Sequence, residues 1–322
     1  MSKEKVLITG GAGYLGSVMT GKLLQEGYKV TCLDNLLWKQ HSPLFFMDCP
    51  DYDFIFGDAR DQRILEPLIS RHDSILPLAA IVGYPACDSR PEAARTTNKD
   101  AIIMLNSLRG SQQKLIFPTT NSGYGTTSGE VLCDENTPLN PISLYGETKA
   151  AAEEVLLKNN KPSISFRLAT VFGNSPRMRL DLLVNDLVYQ ASTTGEITLF
   201  EKKFMRNFVH IQDVSRAFVF ALENYEKLCD EKIYNLGHPQ ANISKEDLVL
   251  RIKNQIPSLI INEDLNRTDP DKRNYIVSSQ RIMNYGFRFN HTLESGISEL
   301  IRAMPLLRMD YLRQVSTNQQ PI

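Results

Sequence analysis

"VLITGGAGYLGS", residues 6–17, decides how the rest of the chain is read. Four residues suited to a buried strand run straight into Gly10, Gly13 and Gly16, and an apolar, helix-compatible stretch follows. The spacing is a GxxGxxG variant of the dinucleotide fingerprint, and its place between a strand and a helix is what gives it weight. Glycines there let the backbone turn tightly and approach a pyrophosphate. The helix N-terminus adds unpaired N–H groups and partial positive charge. A βα turn without a ligand uses similar residues, so the residues downstream must decide.

Outward from that turn, short apolar runs alternate with helix-length segments. "KVLITG", "YKVTCLD", "YDFIFGD", "DSILPLAA", "KLIFPTT" and "SISFRLA" read as strands. Residues 17–26, 62–70 and 99–109 read as helices between them. This alternation predicts an α/β fold, a Rossmann doubly wound parallel sheet covered by helices on both faces. From about residue 170 the pattern breaks into loops and short pieces, which predicts a smaller mixed α/β C-terminal substrate domain. The expected division is residues 1–168 as the dinucleotide domain, with 204–236 returning to it, and 169–203 plus 237–322 as the second domain. The polar ending "QVSTNQQPI" reads as a loose tail.

Composition narrows the function. The 322 residues are 42% hydrophobic and carry a formal net charge of −1. That balance gives no broad drive toward nucleic acid or an anionic membrane. No apolar run approaches transmembrane length. Five scattered cysteines without a CxxC pair read as reduced thiols. The five histidines show no metal-ligand spacing, so no metal is expected. A soluble, cytoplasmic protein follows.

Asp34 closes the second predicted strand. A carboxylate there accepts bonds from both ribose hydroxyls of NAD and repels the 2′-phosphate of NADP. "GDARD" follows the third strand, placing Asp58 to reach the adenine amino group, with Ala59 packing nearby. "SLYGETKAAAEEVL" sets Tyr145 and Lys149 at i and i+4, on one helix face and about 6 Å apart. Next to an ammonium group a phenol loses its proton more readily. Lowering its pKa by about 3 units is about 4 kcal/mol of differential stabilisation, enough to make Tyr145 a base near neutral pH. Upstream, "FPTTNSGYG" ends a strand with Thr119, Thr120 and Ser122 and offers no carboxylate.

Together these residues resemble the extended short-chain dehydrogenase/reductase family that acts on nucleotide sugars. The resemblance runs from "ITGGAGYLG" through "LAAIVG", "YGETK" and "RLATVFG" to "RNFVHIQDV". It implies tightly held NAD and a catalytic set of Thr120, Tyr145 and Lys149. It also implies cofactor contacts at Gly10, Gly13, Tyr14, Leu15, Gly16, Asp34, Asn35, Asp58, Ala59, Leu78, Ala79, Ala80, Asn98 and Val171. For the substrate it implies Val82, Thr120, Asn121, Ser122, Arg179, Asn185 and Arg206, the last for the diphosphate. A second basic residue belongs near "DPDKRNY", where Arg267 and Arg273 both qualify and Arg273 is preferred. The family's helices pair across two-fold axes, which implies a homodimer or a dimer of dimers.

Two departures refine the reading. Where 4,6-dehydratases of the family place acids after the catalytic threonine, this chain has Asn121 and Ser122. Eliminating water needs a base and an acid, which an amide and a neutral hydroxyl supply poorly. "RLATVFGNSPRMRLDLLVND" and "AAIVGYPACDSRPE" are similar to a branch that oxidises C4 of GDP-D-glycero-α-D-manno-heptose for bacterial capsules. The expectation is therefore NAD-dependent oxidation of a GDP-sugar at C4, with a 2-oxo acid as a candidate terminal oxidant. The alternatives are a 4-epimerase with retained NAD and, below it, a non-catalytic NAD(H)-binding sensor.

Overall fold

A computed structural model describes residues 4–127, 131–264, 266 and 274–307. The first half runs β1 (Lys5–Thr9), α1 (Tyr14–Gln25), β2 (Lys29–Asp34), β3 (Tyr52–Phe56), α2 (Gln62–Ile69) and β4 (Ser74–Pro77). It continues with α3 (Tyr84–Ser89), α4 (Pro91–Arg95), α5 (Ala101–Leu108), β5 (Lys114–Thr120), β6 (Leu132–Cys133) and α6 (Leu144–Lys158). The second half is β7 (Ile164–Leu168), β8 (Thr170–Phe172), α7 (Leu183–Thr193), β9 (Glu196–Leu199), β10 (Met205–His210), α8 (Ile211–Glu223), α9 (Tyr225–Leu228) and β11 (Ile233–Leu236). It ends with β12 (Asn242–Ser244), α10 (Lys245–Gln255), β13 (Ile260–Glu263), β14 (Ile276–Val277), α11 (Gln280–Asn284) and α12 (Leu293–Leu307).

Seven strands form the main sheet in the order β11-β7-β5-β4-β1-β2-β3, every pair parallel. Successive residues of a strand point to opposite faces, so each central strand must be apolar on both. β1 shows this: Val6 and Ile8 enter one core with Met19, Leu23 and Phe218, while Leu7 enters the other with Leu65, Ile102, Leu105 and Leu156. Helices α1 and α8 cover the first face and α2, α5 and α6 the second. The strand order reverses at β1, between β2 and β4. In such sheets ligands bind in the crevice beyond the carboxyl ends at that switch point.

A second core lies beyond that crevice. A three-stranded sheet, β12-β10-β8, packs with α7, α10 and α12 through Val184, Val188, Leu248, Ile252, Ile297 and Leu300. β10 belongs to this sheet, whereas α8 packs on α1 and β11 completes the seven-stranded layer. The second half holds more regular structure than its sequence suggested. α7, α8, α10 and α12 span 11, 13, 11 and 15 residues. The helical signal is present in α7, where Val184, Leu187, Val188 and Ala191 are buried at i, i+3, i+4 and i+7. At α10, Ser244 and Asp247 form a complete capping box. The loops between these helices obscured both patterns. The polar tail at 314–322 lies outside the described residues.

Candidate functional site

The glycine turn is as tight as its sequence requires. Gly10 has φ +76°, and a Cβ there would stand 2.6 Å from the Ala79 nitrogen. A Cβ on Gly16 would stand 2.2 Å from the Gly10 carbonyl oxygen. Both positions exclude a side chain sterically, and Gly10 also occupies the left-handed region. Gly13 caps α1 without a side chain, so the first helical N–H groups receive no side-chain acceptor. Asp34 is buried beside this turn. Its carboxylate accepts from the Ala12 N–H at 3.1 Å, the Leu36 N–H at 2.8 Å and the Gln40 Nε2 at 3.1 Å. Burial pushes its carboxyl up from the ordinary value, and the two backbone bonds pull it back. Ser42 donates to the Ala12 carbonyl at 2.7 Å and braces the turn from outside. Sequence reasoning missed Gln40 and Ser42, because neither lies in a motif.

Leu78 to Val82 run against the turn. The Leu78 N–H donates to the Thr9 carbonyl at 2.9 Å, and the Ile81 N–H to the Asn98 Oδ1 at 2.8 Å. Asn98 sits in a π-helical turn at 96–100 and also donates to the Ile81 carbonyl and Thr148. Its amide thus anchors the loop. The Asp58 carboxylate is gripped on both oxygens by Arg60 and on one by Asn35. Arg60 holds its carboxyl below the ordinary value. Ala59 packs beside α2 and α5, and Leu15 and Val171 flank Tyr14.

Ser143 opens the helix that carries Tyr145 and Lys149, its hydroxyl accepting from the Gly146 N–H at 3.2 Å. On the next turn Lys149 is buried, its Nζ 3.9 Å from the centroid of the Phe117 ring. Burial pushes the Lys149 ammonium down to about 7, opposed by Glu153 and Cys87. Tyr145 is half-buried and packs around Ile81, Cys87 and Ala94. The 121–124 turn lies against the same helix, and a Cβ on Gly146 would be 3.4 Å from the Ser122 carbonyl oxygen. Within that turn Thr120 accepts from the Ser122 N–H at 3.1 Å and donates to its hydroxyl at 2.9 Å. Asn121 is fully buried, and neither end of its amide has a hydrogen-bond partner among the described residues. An orphaned buried amide is costly, about 1–3 kcal/mol for each group left unpaired.

The segment after β8 is stapled to α1. Tyr14 donates to the Gly173 carbonyl at 2.7 Å, and Ser175 to the Tyr14 carbonyl at 2.7 Å. Asn185 accepts from the Gly173 N–H and donates to the Tyr14 hydroxyl and the Arg179 carbonyl. Its amide therefore holds the loop together. That loop delivers Arg179 within electrostatic reach of Tyr145 and Tyr14, with Asp181 as its counter-ion at 2.6 Å. Arg206 lies buried on β10 and donates to the Met205 carbonyl. Arg267 and Arg273 lie outside the described residues. Among the described residues no group of three or more His, Cys, Asp or Glu could hold a metal ion, and no helix is long and apolar enough to cross a membrane.

This arrangement has counterparts among known proteins. A UDP-glucose 4-epimerase of Lactobacillus helveticus is 27% identical over 264 residues, 74% of this chain and 78% of that protein. One from Halalkalibacterium halodurans is 25% identical over 300 residues, 86% and 87% of the two chains. Among solved structures, a dTDP-glucose 4,6-dehydratase of Bacillus anthracis matches with a TM-score of 0.82 at 23% identity, covering 97% of this chain and 100% of that one. A UDP-glucuronic acid 4-epimerase of Bacillus cereus gives 0.83 at 23%, covering 94% and 99%. These likenesses of structure show a shared fold. Residues 6–237 match the model of the NAD dependent epimerase/dehydratase family, and the chain belongs to that family.

Proposed function

We propose that the protein is an NAD-dependent nucleotide-sugar enzyme that oxidises a carbinol at C4 of the sugar, with 4-epimerisation as the net reaction. One observation carries the chemistry: the Tyr145–Lys149 helix faces a turn made of Thr120, Asn121 and Ser122, which holds hydroxyls and an amide but no carboxylate. The epimerase outcome is supported by the two relatives given above, each named as a UDP-glucose 4-epimerase. The residues fit the cofactor. The turn around Gly10 and Gly16 has no room for a Cβ, and Asp34 stands at its rim. Bound there, NAD supplies a hydride acceptor that can also return the hydride.

The chain's own residues do the rest. Tyr145 takes the proton from the C4 hydroxyl, and Lys149 stabilises the phenolate by charge. Thr120 and Ser122 orient that hydroxyl. Asn121 offers its unpaired amide to a neighbouring sugar oxygen. Arg179 and Arg206, with Arg273 as a further candidate, take the diphosphate. Residues 1–168 with α8 to β11 serve the cofactor, and 169–203 with β10 and 237–322 serve the sugar nucleotide.

A second reading is a 4-dehydrogenase of a GDP-sugar, GDP-D-glycero-α-D-manno-heptose above all. The observation favouring it is the 167–186 segment, whose sequence is similar to that branch and carries Arg177 and Arg179. It would release the ketone and need a terminal oxidant such as a 2-oxo acid. The test incubates UDP-glucose, UDP-glucuronic acid, GDP-mannose and GDP-heptose separately with enzyme, with and without 2-oxoglutarate, and weighs the products. Unchanged mass with inverted C4 supports the epimerase. A product lighter by two hydrogens, dependent on the oxidant, supports the dehydrogenase. A product lighter by one water overturns both.

A further inference from the structure

Lys149 sits where a cation is hard to keep. It is 3% exposed, it rests on the Phe117 ring, and burial opposes its charge. Two groups favour the charged form: Glu153, one turn further along its own helix α6, and Cys87 of α3, packed against that helix. They are not equivalent. Burial pushes the Cys87 thiol up to about 11, so at neutral pH it is an uncharged S–H, donating to the Ile81 carbonyl at 3.2 Å. It contributes no negative charge where the enzyme works.

Glu153 is the carboxylate of a buried ion pair. It is 2% exposed, and four donor contacts converge on its two oxygens. Arg167 Nη2 lies 2.7 Å from one oxygen, with its Nε 3.1 Å from the same atom and 3.4 Å from the other. The Ser165 hydroxyl donates to the second oxygen at 2.6 Å. Arg167 is itself fixed by Tyr124 and the Glu135 carbonyl, so it cannot swing away. Residues i and i+4 share a helix face, about 5–6 Å apart at Cβ. In a sealed interior a charge at that distance is felt much more strongly than in water.

We propose that Glu153 is a positioning residue for the reaction: held as an anion by Arg167 and Ser165, it keeps Lys149 positively charged beside Tyr145. This rests on the reading of Tyr145 and Lys149 given above. Without Glu153 the lysine sheds its proton about one pH unit lower, so at neutral pH the tyrosine loses most of the cation that makes it a base. The Glu153–Arg167 pair is then part of the electrostatic design of the site as well as a structural tie between α6 and β7.

The experiment titrates the full chain, as purified, carrying ¹³Cε-labelled lysine. The Lys149 signal is identified by its loss in Lys149→Met. The wild-type midpoint is expected near 7. Glu153→Gln, which keeps the shape and one acceptor oxygen but not the charge, is expected to lower it by about one pH unit. It should also move the pH–rate profile so that activity at neutral pH falls. Glu153→Asp retains the charge at a longer reach, so its midpoint should fall between the two. If Glu153→Gln does not fold, the Asp variant carries the test. A midpoint that stays at the wild-type value in the folded variants overturns the proposal. Tyr145→Phe run in parallel separates the two ideas. If that variant stays within a few-fold of wild type, the catalytic reading fails, while the Lys149 midpoint still judges Glu153.

Discussion

Two arginine–carboxylate pairs flank the catalytic helix, and they are alike only in their contact distances. Arg167 and Glu153 meet at 2.7 Å with side chains 6% and 2% exposed. Arg179 and Asp181 meet at 2.6 Å, but at 15% and 31%. The first pair ties a helix to a strand, and its hydrogen-bonding capacity is spent within the protein. The second lies two residues apart in one loop, the loop to which the proposed function gives the diphosphate. A sealed pair is costly to break because the survivor keeps its charge without water. A half-open pair contributes little, and either partner can accept a replacement. On the proposals above, the first pair would set the field at the site and the second would exchange its anion for a substrate's.

The largest effect should follow from breaking the sealed pair. Arg167→Met leaves Glu153 buried and unmatched, and should cost about 3–5 kcal/mol of folding stability. Urea unfolding checks it. The double variant Glu153→Leu/Arg167→Met should recover most of that loss, because neither charge of the pair remains buried. It should not recover activity, since Lys149 would still lack its counter-charge. A single variant as stable as wild type would remove the distinction between the pairs.

The open pair should respond in the opposite way. Arg179→Ala should change stability by less than about 1 kcal/mol. It should weaken binding of a nucleoside diphosphate by about 10–100-fold, the worth of a hydrogen bond to a charged group. Asp181→Asn, which removes the competing anion, should leave that affinity unchanged or improve it. Calorimetry with UDP and with GDP reads both variants and shows which base is preferred. If Arg179→Ala binds both nucleotides as wild type does, Arg206 holds the diphosphate without its help.

The same contrast explains how much of the molecule was legible in its sequence. The dinucleotide layer was readable because its constraints are local: Gly10 and Gly16 exclude side chains within one turn, and β1 must be apolar on both faces. Tyr145 and Lys149 were readable because helical spacing alone puts them on one face. The second half was less so. α7 carries a clear helical period, but its place follows from contacts with α10 and α12 distant in sequence. Asn98 and Asn185 illustrate the limit. The resemblance implies ligand contacts at both, and it gives no sign that their amides also bond Ile81 and Gly173 with Tyr14, respectively. Glu153 was passed over because the sequence "KAAAEEVL" looks like ordinary amphipathic helix. Only the arrival of Arg167 from β7 gives it a particular charge environment.

The smallest effect is in stability, and it concerns the lysine at the edge of the sealed pair. Burial brings Lys149 down to about 7 from the ordinary 10.5. Below pH 7 the folded and unfolded chains both carry the proton, and the folded one bears the full cost of burying it. Between pH 7 and 10.5 the unfolded chain binds more protons, so this cost is progressively relieved as pH rises. Above 10.5 both forms are neutral and the cost is gone. Lys149→Met, similar in length and never charged, should therefore melt a few degrees higher than wild type at pH 6.5. Its advantage should shrink steadily through the window from pH 7 to 10.5, although the variant is catalytically dead. Calorimetric melting of the two cofactor-stripped proteins across that range checks the sign and the window together. An advantage that stays constant with pH would mean that the methionine merely packs better. One that vanishes as pH rises would show that the site keeps a charged lysine at the expense of its own stability.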